Sequence, residues 1–179
     1  MTAEELEEEL LADSIYYAGG GGVTFSGGEP LMQSDFLSEI IDRCHAHGIH
    51  CAVESSLVRF DERIFSKLDL VMADLKIWDS DLHLKYTGVR NESIKENFKR
   101  LNALGIPIIA RTPVICEIEQ GIPEISEFLF GLPNVIKYEL LPYHPLGIEK
   151  SRALGREGAR FSVPDNERME ELNRYAFIR

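Results

Sequence analysis

Five short apolar stretches of this 179-residue chain end in residues able to hold a small polar ligand. Residues 23–26 run into Gly27-Gly28-Glu29-Pro30, residues 49–55 carry Glu54 and lead to Ser56, and residues 70–76 carry Asp74 and Lys76. Residues 107–112 carry Arg111, and residues 135–141 lead into Pro142-Tyr143-His144. Lys76, Arg111 and His144 can hold a carboxylate or hydroxyls. A glycine pair lets backbone carbonyls approach an ammonium group with no Cβ between them. Glu54 and Asp74 can hold a cation or an amine. Together these groups suit a zwitterion. Two other readings compete for parts of the set. One pairs Lys76 with Asp74 and Arg111 with Glu54 as structural ion pairs. The other makes Lys76 a Schiff-base nucleophile of a (β/α) barrel lyase, which requires a desolvated amine and is opposed by Asp74 two residues away.

The segments between these stretches read as helices. Thr2 with Glu5 forms a capping box that opens a helix over 4–17, with Leu6, Leu10, Ile15 and Tyr17 on its apolar side. Phe36, Leu37, Ile40, Ile41 and Cys44 recur at helical spacing over 34–47, and Gly48 ends that run. Shorter helices are expected over 61–67 and 123–130, one over 91–104 capped by Asn91 and closed by Gly105, and a last one over 164–175. Five strands separated by helices make consecutive βα units, hence a parallel sheet with right-handed crossovers. The pattern fits a barrel or a doubly wound sheet. Both bind ligands at the C-terminal ends of their strands, where the polar residues fall.

Composition sets outer limits. With 44% hydrophobic and 27% charged residues, the chain is an ordinary globular domain. It has no apolar run near the ~20 residues of a membrane helix, and its start is acidic and unlike a signal peptide, so a cytoplasmic location is expected. The net charge of −11 is uneven: Lys and Arg are absent before Arg43, while acids crowd that segment. No basic stripe offsets them, so nucleic acid is not an expected partner. Cys44, Cys51 and Cys116 are too few and too scattered for a disulfide framework and read as reduced thiols. The run Cys44-His45-Ala46-His47-Gly48-Ile49-His50-Cys51 offers zinc ligands at irregular spacing. Cys44 suits the buried helix face, however, and the histidines suit a helix C-terminus. Gly19–Gly22 lacks the Gly-Lys-Ser/Thr of a phosphate loop and reads as a turn.

Val23-Thr24-Phe25-Ser26-Gly27-Gly28-Glu29-Pro30-Leu31 resembles the Gly-Gly-Glu-Pro motif of radical S-adenosylmethionine enzymes. Ala73-Asp74-Leu75-Lys76-Ile77-Trp78-Asp79, then His83, Tyr86-Thr87-Gly88 and Asn91, narrow the resemblance, as does Leu140-Leu141-Pro142-Tyr143-His144-Pro145-Leu146-Gly147. Together they are similar to the glycyl-radical-enzyme activases, from about Thr2 to the C-terminus.

The resemblance implies an α/β fold, a partial parallel (β/α) barrel of the radical SAM type. It also implies a 4Fe-4S cluster that cleaves S-adenosylmethionine, and a glycyl radical enzyme such as pyruvate formate-lyase as partner. By position, Gly27, Gly28 and Glu29 resemble the segment that contacts the methionine amino group. Asp74, Lys76 and His144 match residues near S-adenosylmethionine, and Arg111 a strand-end arginine of the same cavity. Glu54 stands at an acidic position, usually Asp, that holds a monovalent cation with Asp74 and the Met72 carbonyl. The following Ser55-Ser56-Leu57 departs from a run that usually ends in Gly.

The Cys-x-x-x-Cys-x-x-Cys that binds the cluster in this family is absent, and Cys44, Cys51 and Cys116 fall at opposite rims of the expected sheet. Residues 1–179 are therefore expected to be one truncated domain beginning after the cluster loop, with the first strand missing, and inactive alone. A non-catalytic module that keeps S-adenosylmethionine affinity is a further reading. The resulting open edge predicts a homodimer or another element covering it.

Overall fold

The computed structural model describes residues 1–17, 19–145, 155 and 161–179. In chain order the elements are α1 (Ala3–Ala12), β1 (Gly22–Phe25), α2 (Ser34–Ala46), β2 (His50–Ser55), α3 (Glu62–Phe65), β3 (Leu70–Asp74), α4 (Ser80–Thr87), α5 (Glu92–Ala103), β4 (Ile108–Val114), α6 (Ile122–Phe130), β5 (Val135–Pro142), α7 (Asn166–Asn173) and β6 (Phe177–Ile178). They build a six-stranded sheet in the order β1-β2-β3-β4-β5-β6. The first five strands are parallel and β6 returns antiparallel to β5.

Strand order decides between the two expected architectures. A doubly wound sheet reverses direction partway and puts helices on both faces. Here no reversal occurs, so every right-handed crossover lays its helix on the same face, as in a barrel wall. Residue alternation records this. Cys51 and Val53, Val71 and Ala73, Ile108 and Ala110, and Tyr138 are buried in one core with Ile40, Ile41, Phe98, Leu101 and Ile125. Their neighbours Glu54, Met72, Asp74, Arg111 and Glu139 are only partly covered and line the opposite face. The register sets Glu54 beside Met72, Asp74 beside Arg111, and Arg111 beside Glu139. One face is thus a hydrocarbon core and the other a charged wall.

Several expectations need correction. The helix over 4–17 stops at Ala12, because the Asp13 N–H closes on the Leu10 and Leu11 carbonyls and residues 14–16 turn as a 3-10 helix. Ile15 then points outward, 75% exposed, while Leu6, Leu10, Leu11 and Tyr17 reach the core. The expected count of five strands misses β6, whose two residues are too short to show a period. Helix α4 is also unanticipated. Asp79 caps it by accepting from the Leu82 N–H at 2.8 Å and Gly88 closes it at φ 82°, but it buries only His83 and so has no apolar stripe. Asn91 stands at the start of α5 without capping it. Its amide instead donates inward to the carbonyls of Ile77 (2.7 Å) and Trp78 (2.8 Å).

The tempting run of Cys and His residues is divided among separate partners. His45 meets Asp69 at 3.1 Å, and His47 meets Glu7 at 2.8 Å. Arg43, at 2.7 Å, and then His47 hold the Glu7 carboxyl below its usual range, which ties α1 to α2. Cys44 and Cys51 are buried, and desolvation raises both thiols above their ordinary range; Cys116 is exposed. Because the thiolate is the reactive form, a disulfide reagent is expected to label one thiol quickly in the native protein. All three should react after unfolding in guanidinium. Rapid native labelling of more than one would contradict this packing.

Candidate ligand site at the strand ends

After β1 the chain takes a left-handed step at Gly27, φ 121°, a conformation glycine adopts without strain. A Cβ at Gly27 or Gly28 would meet nothing within 4 Å, so this backbone borders open space. Glu29 then turns towards the end of β2. Its carboxylate accepts from Ser55 Oγ (2.9 Å), the Ser56 N–H (3.0 Å) and Ser56 Oγ (2.6 Å). The Glu29 side chain therefore fastens the glycine loop to the neighbouring strand, and the backbone of Gly27 and Gly28 is left to face a ligand.

The end of β2 holds an unusual residue. Leu57 is fully buried yet sits at φ 54°, the one non-glycine with positive φ among the described residues. That conformation costs roughly 1–2 kcal/mol for an L-residue, which burying a leucine side chain, about 1.5–3 kcal/mol, offsets. Asn97 Nδ2 donates to the Leu57 carbonyl at 2.8 Å, and the Leu57 N–H donates to Ser55 Oγ at 3.0 Å. Leu57 falls where the resembled family ends its run in Gly, and the left-handed backbone is present here without the glycine.

Arg111 is the hub of the charged wall. Its Nη1 lies 2.8 Å from Glu54 Oε1 and its Nε 3.3 Å from Asp74 Oδ1. Burial pushes the guanidinium towards its neutral form, but the two carboxylates outweigh it and its pKa stands above the ordinary arginine value. Lys76 Nζ is 3.7 Å from Asp74 Oδ2, an ion pair too long for a good hydrogen bond. Both pairings anticipated as structural are therefore present. A monovalent cation on Glu54 and Asp74 would have to share those carboxylates with the guanidinium. The Lys76 side chain is 40% exposed, so it lacks the burial that a Schiff-base lysine needs. His144 is exposed beyond the end of β5 and has no hydrogen bond to this cluster among the described residues. Leu146 and Gly147 of the same motif lie outside the described residues.

Buried polar residues that the sequence did not single out hold the strand ends in place. Gln120 Nε2 donates to the carbonyls of Lys76 and Pro113, both at 2.7 Å, and its Oε1 accepts from the Ile115 N–H at 2.8 Å. Thr112 Oγ1 donates to the Leu75 carbonyl at 2.6 Å and accepts from the Tyr138 hydroxyl at 3.0 Å. Burial raises the Tyr138 phenol to about 12, so it stays a donor at ordinary pH. The clue available beforehand was a polar residue at a core-facing position of a strand, Thr112 between Ala110 and Val114.

The open Gly27-Gly28 backbone and the loosely held Lys76 fit the ends of a zwitterionic nucleotide. The thiols do not fit an iron-sulfur cluster. Cys44 and Cys51 lie in the core near the N-terminal end of β2, whereas Cys116 follows the C-terminal end of β4. Among the described residues no three Cys, His, Asp or Glu side chains converge as a metal site.

Residues 1–129 match the sequence profile of the Radical SAM superfamily. The chain is 35% identical to the pyruvate formate-lyase-activating enzyme of Staphylococcus epidermidis, a match covering 98% of this chain and 76% of that protein. It is 37% identical to the 4-hydroxyphenylacetate decarboxylase activating enzyme of Clostridioides difficile over 96% of this chain and 57% of that protein. Among solved structures it superposes on a domain of pyruvate-formate lyase-activating enzyme from Bacteroides vulgatus with a TM-score of 0.70 and 33% identity, covering 87% of this chain and 92% of that one. Streptococcus suis SuiB, at 17% identity and a TM-score of 0.78 over 98% of this chain and 38% of that one, shares the fold.

Proposed function

Because the chain belongs to the radical SAM superfamily, in the branch of enzymes that activate glycyl radical enzymes, we propose that its strand-end site binds S-adenosylmethionine. On this reading the chain serves the formation of a glycyl radical on pyruvate formate-lyase or a related enzyme. The observation that carries the reading is the composition of the open face. Bare glycine backbone after β1 stands at the same sheet edge as Glu54, Asp74 and Arg111, with Lys76 just beyond β3. When bound, S-adenosylmethionine would supply the 5′-deoxyadenosyl group that abstracts a hydrogen atom from the target glycine, its C5′–S bond being cleaved, with methionine leaving, by one electron from an iron-sulfur donor that the thiols of this chain do not hold. The residues of this chain bind and orient. Gly27 and Gly28 present carbonyls to the ammonium end. Lys76 donates to a carboxylate or hydroxyl, and Arg111 fixes the two acids so that their positions are set before the ligand arrives. The thiols of this chain do not converge on one site among the described residues.

Titration calorimetry with S-adenosylmethionine tests the reading. Saturable binding that weakens at least tenfold in Lys76→Met is expected, and undetectable binding to the wild-type chain would overturn it. Borohydride trapping with a carbonyl substrate should capture no adduct at Lys76.

One hydrophobic core runs from Leu31 to Leu172, which supports treating 1–179 as a single domain. No helix among the described residues is long and apolar enough to cross a membrane, and the acids crowded before Arg43 argue against a nucleic-acid partner. Among the described residues strand β1 pairs only with β2, and an apolar groove beside it is lined by Leu6, Leu10, Val23, Phe25 and Phe36. We read this edge as a place of self-association or of cover by another strand. A strict monomer at high concentration in sedimentation, with the edge open, would count against it.

A further inference from the structure

Asp74 and Lys76 also line a small cavity of ≈ 180 Å³, whose other walls include Ser56, His83, Thr87 and Val89. Such a volume takes one edge of a ligand, since whole drug-sized molecules fill about 300–1,000 Å³. His83 is the buried residue of α4, only 2% exposed, and its proton can be assigned from its neighbours. Nδ1 lies 2.7 Å from the Val89 carbonyl, which can only accept, so Nδ1 carries the hydrogen. The Thr87 hydroxyl, 2.9 Å from Nδ1, donates instead to the His83 carbonyl at 2.8 Å. In the neutral ring Nε2 is then a bare lone pair, and among the described residues no protein donor meets it.

The cavity therefore sets an acceptor with no donor of its own against a donor. Lys76 has only hydrogens to give, and its contact with Asp74, at 3.7 Å, leaves them available. A carboxylate would suit Lys76 and turn lone pairs towards Nε2. An ammonium would suit Nε2 and meet like charge at Lys76. A hydroxyl suits both, because it donates one hydrogen bond while accepting others.

We propose that His83 contacts ligand: its neutral Nε2 accepts a hydrogen bond from a sugar hydroxyl of the bound nucleoside, and Lys76 donates to the same oxygen. The inference rests on the strand ends being the S-adenosylmethionine site, and it gives a role to His83 that neither its helix position nor the core requires.

His83→Asn isolates this role. An asparagine amide can keep an N–H near the Nδ1 position for the Val89 carbonyl while removing Nε2, whereas His83→Gln returns an acceptor near the Nε2 position. With S-adenosylhomocysteine as the calorimetric probe, His83→Asn is expected to melt close to wild type and to bind about 3–10-fold more weakly, the worth of one neutral hydrogen bond. His83→Gln should recover part of the loss. The 2′-deoxy or the 3′-deoxy analogue, which loses both the His83 and the Lys76 contact, should bind wild type more weakly by a larger factor, and its deficit relative to the parent compound should be smaller on His83→Asn, where only the Lys76 contact is left to lose. If both deoxy analogues bind wild type as tightly as the parent, the inference fails without recourse to any variant. Equal affinity of His83→Asn and wild type for the parent also overturns it, leaving the nucleotide site itself standing. Absence of any binding to wild type removes the site and the inference together.

Discussion

Gly121→Ala is expected to remove about 2–5 kcal/mol of unfolding free energy, from roughly 1–2 kcal/mol of left-handed strain and ~1–3 kcal/mol of overpacking. Gly121 precedes α6 at φ 67°, and a Cβ there would stand 2.7 Å from Trp78 Cβ. Neither partner can yield freely. The Trp78 N–H donates to the Gln120 carbonyl at 2.8 Å, and the Lys95 ammonium lies 3.6 Å from the centre of the Trp78 ring. The Gln120 side chain in turn spans the ends of β3 and β4. A methyl group at position 121 therefore presses on the brace behind Lys76, and ligand affinity should fall along with stability. Urea unfolding measures the first effect as a lower midpoint at unchanged slope. Gly28→Ala is the control: it has free space and no left-handed φ, so its midpoint should stay within about 0.5 kcal/mol of wild type. A Gly121→Ala midpoint equally unchanged would mean that the β4–α6 loop is not packed as described.

Arg111→Met is the second large effect. Fully buried ion pairs cost ~3–5 kcal/mol when one partner is removed. The Arg111 side chain retains 18% of its exposure, so a loss of about 2–4 kcal/mol at neutral pH is expected. The substitution keeps most of the aliphatic bulk but leaves Glu54 and Asp74 side by side without a cation. Mutual repulsion then favours protonation of one of them, so the penalty should shrink as the pH falls towards about 4, where carboxylates take up protons. The sign follows from linkage: acids whose folded-state pKa is raised destabilise the fold above their unfolded pKa, and the cost disappears below it. Denaturation curves of both proteins at pH 7 and pH 4 provide the comparison. Adding Glu54→Gln to Arg111→Met should restore part of the loss at pH 7. A deficit that is independent of pH and unaffected by Glu54→Gln would assign Arg111 a packing role only.

The legible part of this molecule was what repeats. Polar residues closing five apolar stretches reveal strand ends without knowledge of how the strands are ordered, because side chains alternate along any strand. The charged residues Glu54, Asp74, Lys76 and Arg111 do gather at one sheet edge as their positions implied. Barrel and doubly wound sheet, by contrast, share the same local pattern and differ only in strand order, a long-range property. Glu29 was legible as part of a motif but not as a tie to Ser55 and Ser56, whose distance along the chain hides the pairing. Gln120 lay in a loop with no period at all. Helix α4 and strand β6 escaped for a different reason: one buries a single histidine and the other has two residues, too little surface for a hydrophobic rhythm. His144 matched a motif, yet it is exposed and makes no hydrogen bond to the charged cluster among the described residues.

Leu57 carries a consequence for the thermodynamics of binding. A glycine at the end of β2 would leave that turn several backbone states in the free protein, and a ligand would have to select one of them. Leu57 cannot leave its left-handed state without withdrawing its side chain from the core and breaking the Asn97 hydrogen bond. The turn is therefore ordered before any ligand arrives, and binding beside it should show little of the unfavourable entropy that accompanies loop closure. Rigidity here comes from a side chain anchored on the far side of the sheet, so mutations deep in the α5 packing, at Asn97 in particular, should surface as changes in binding entropy at the strand ends.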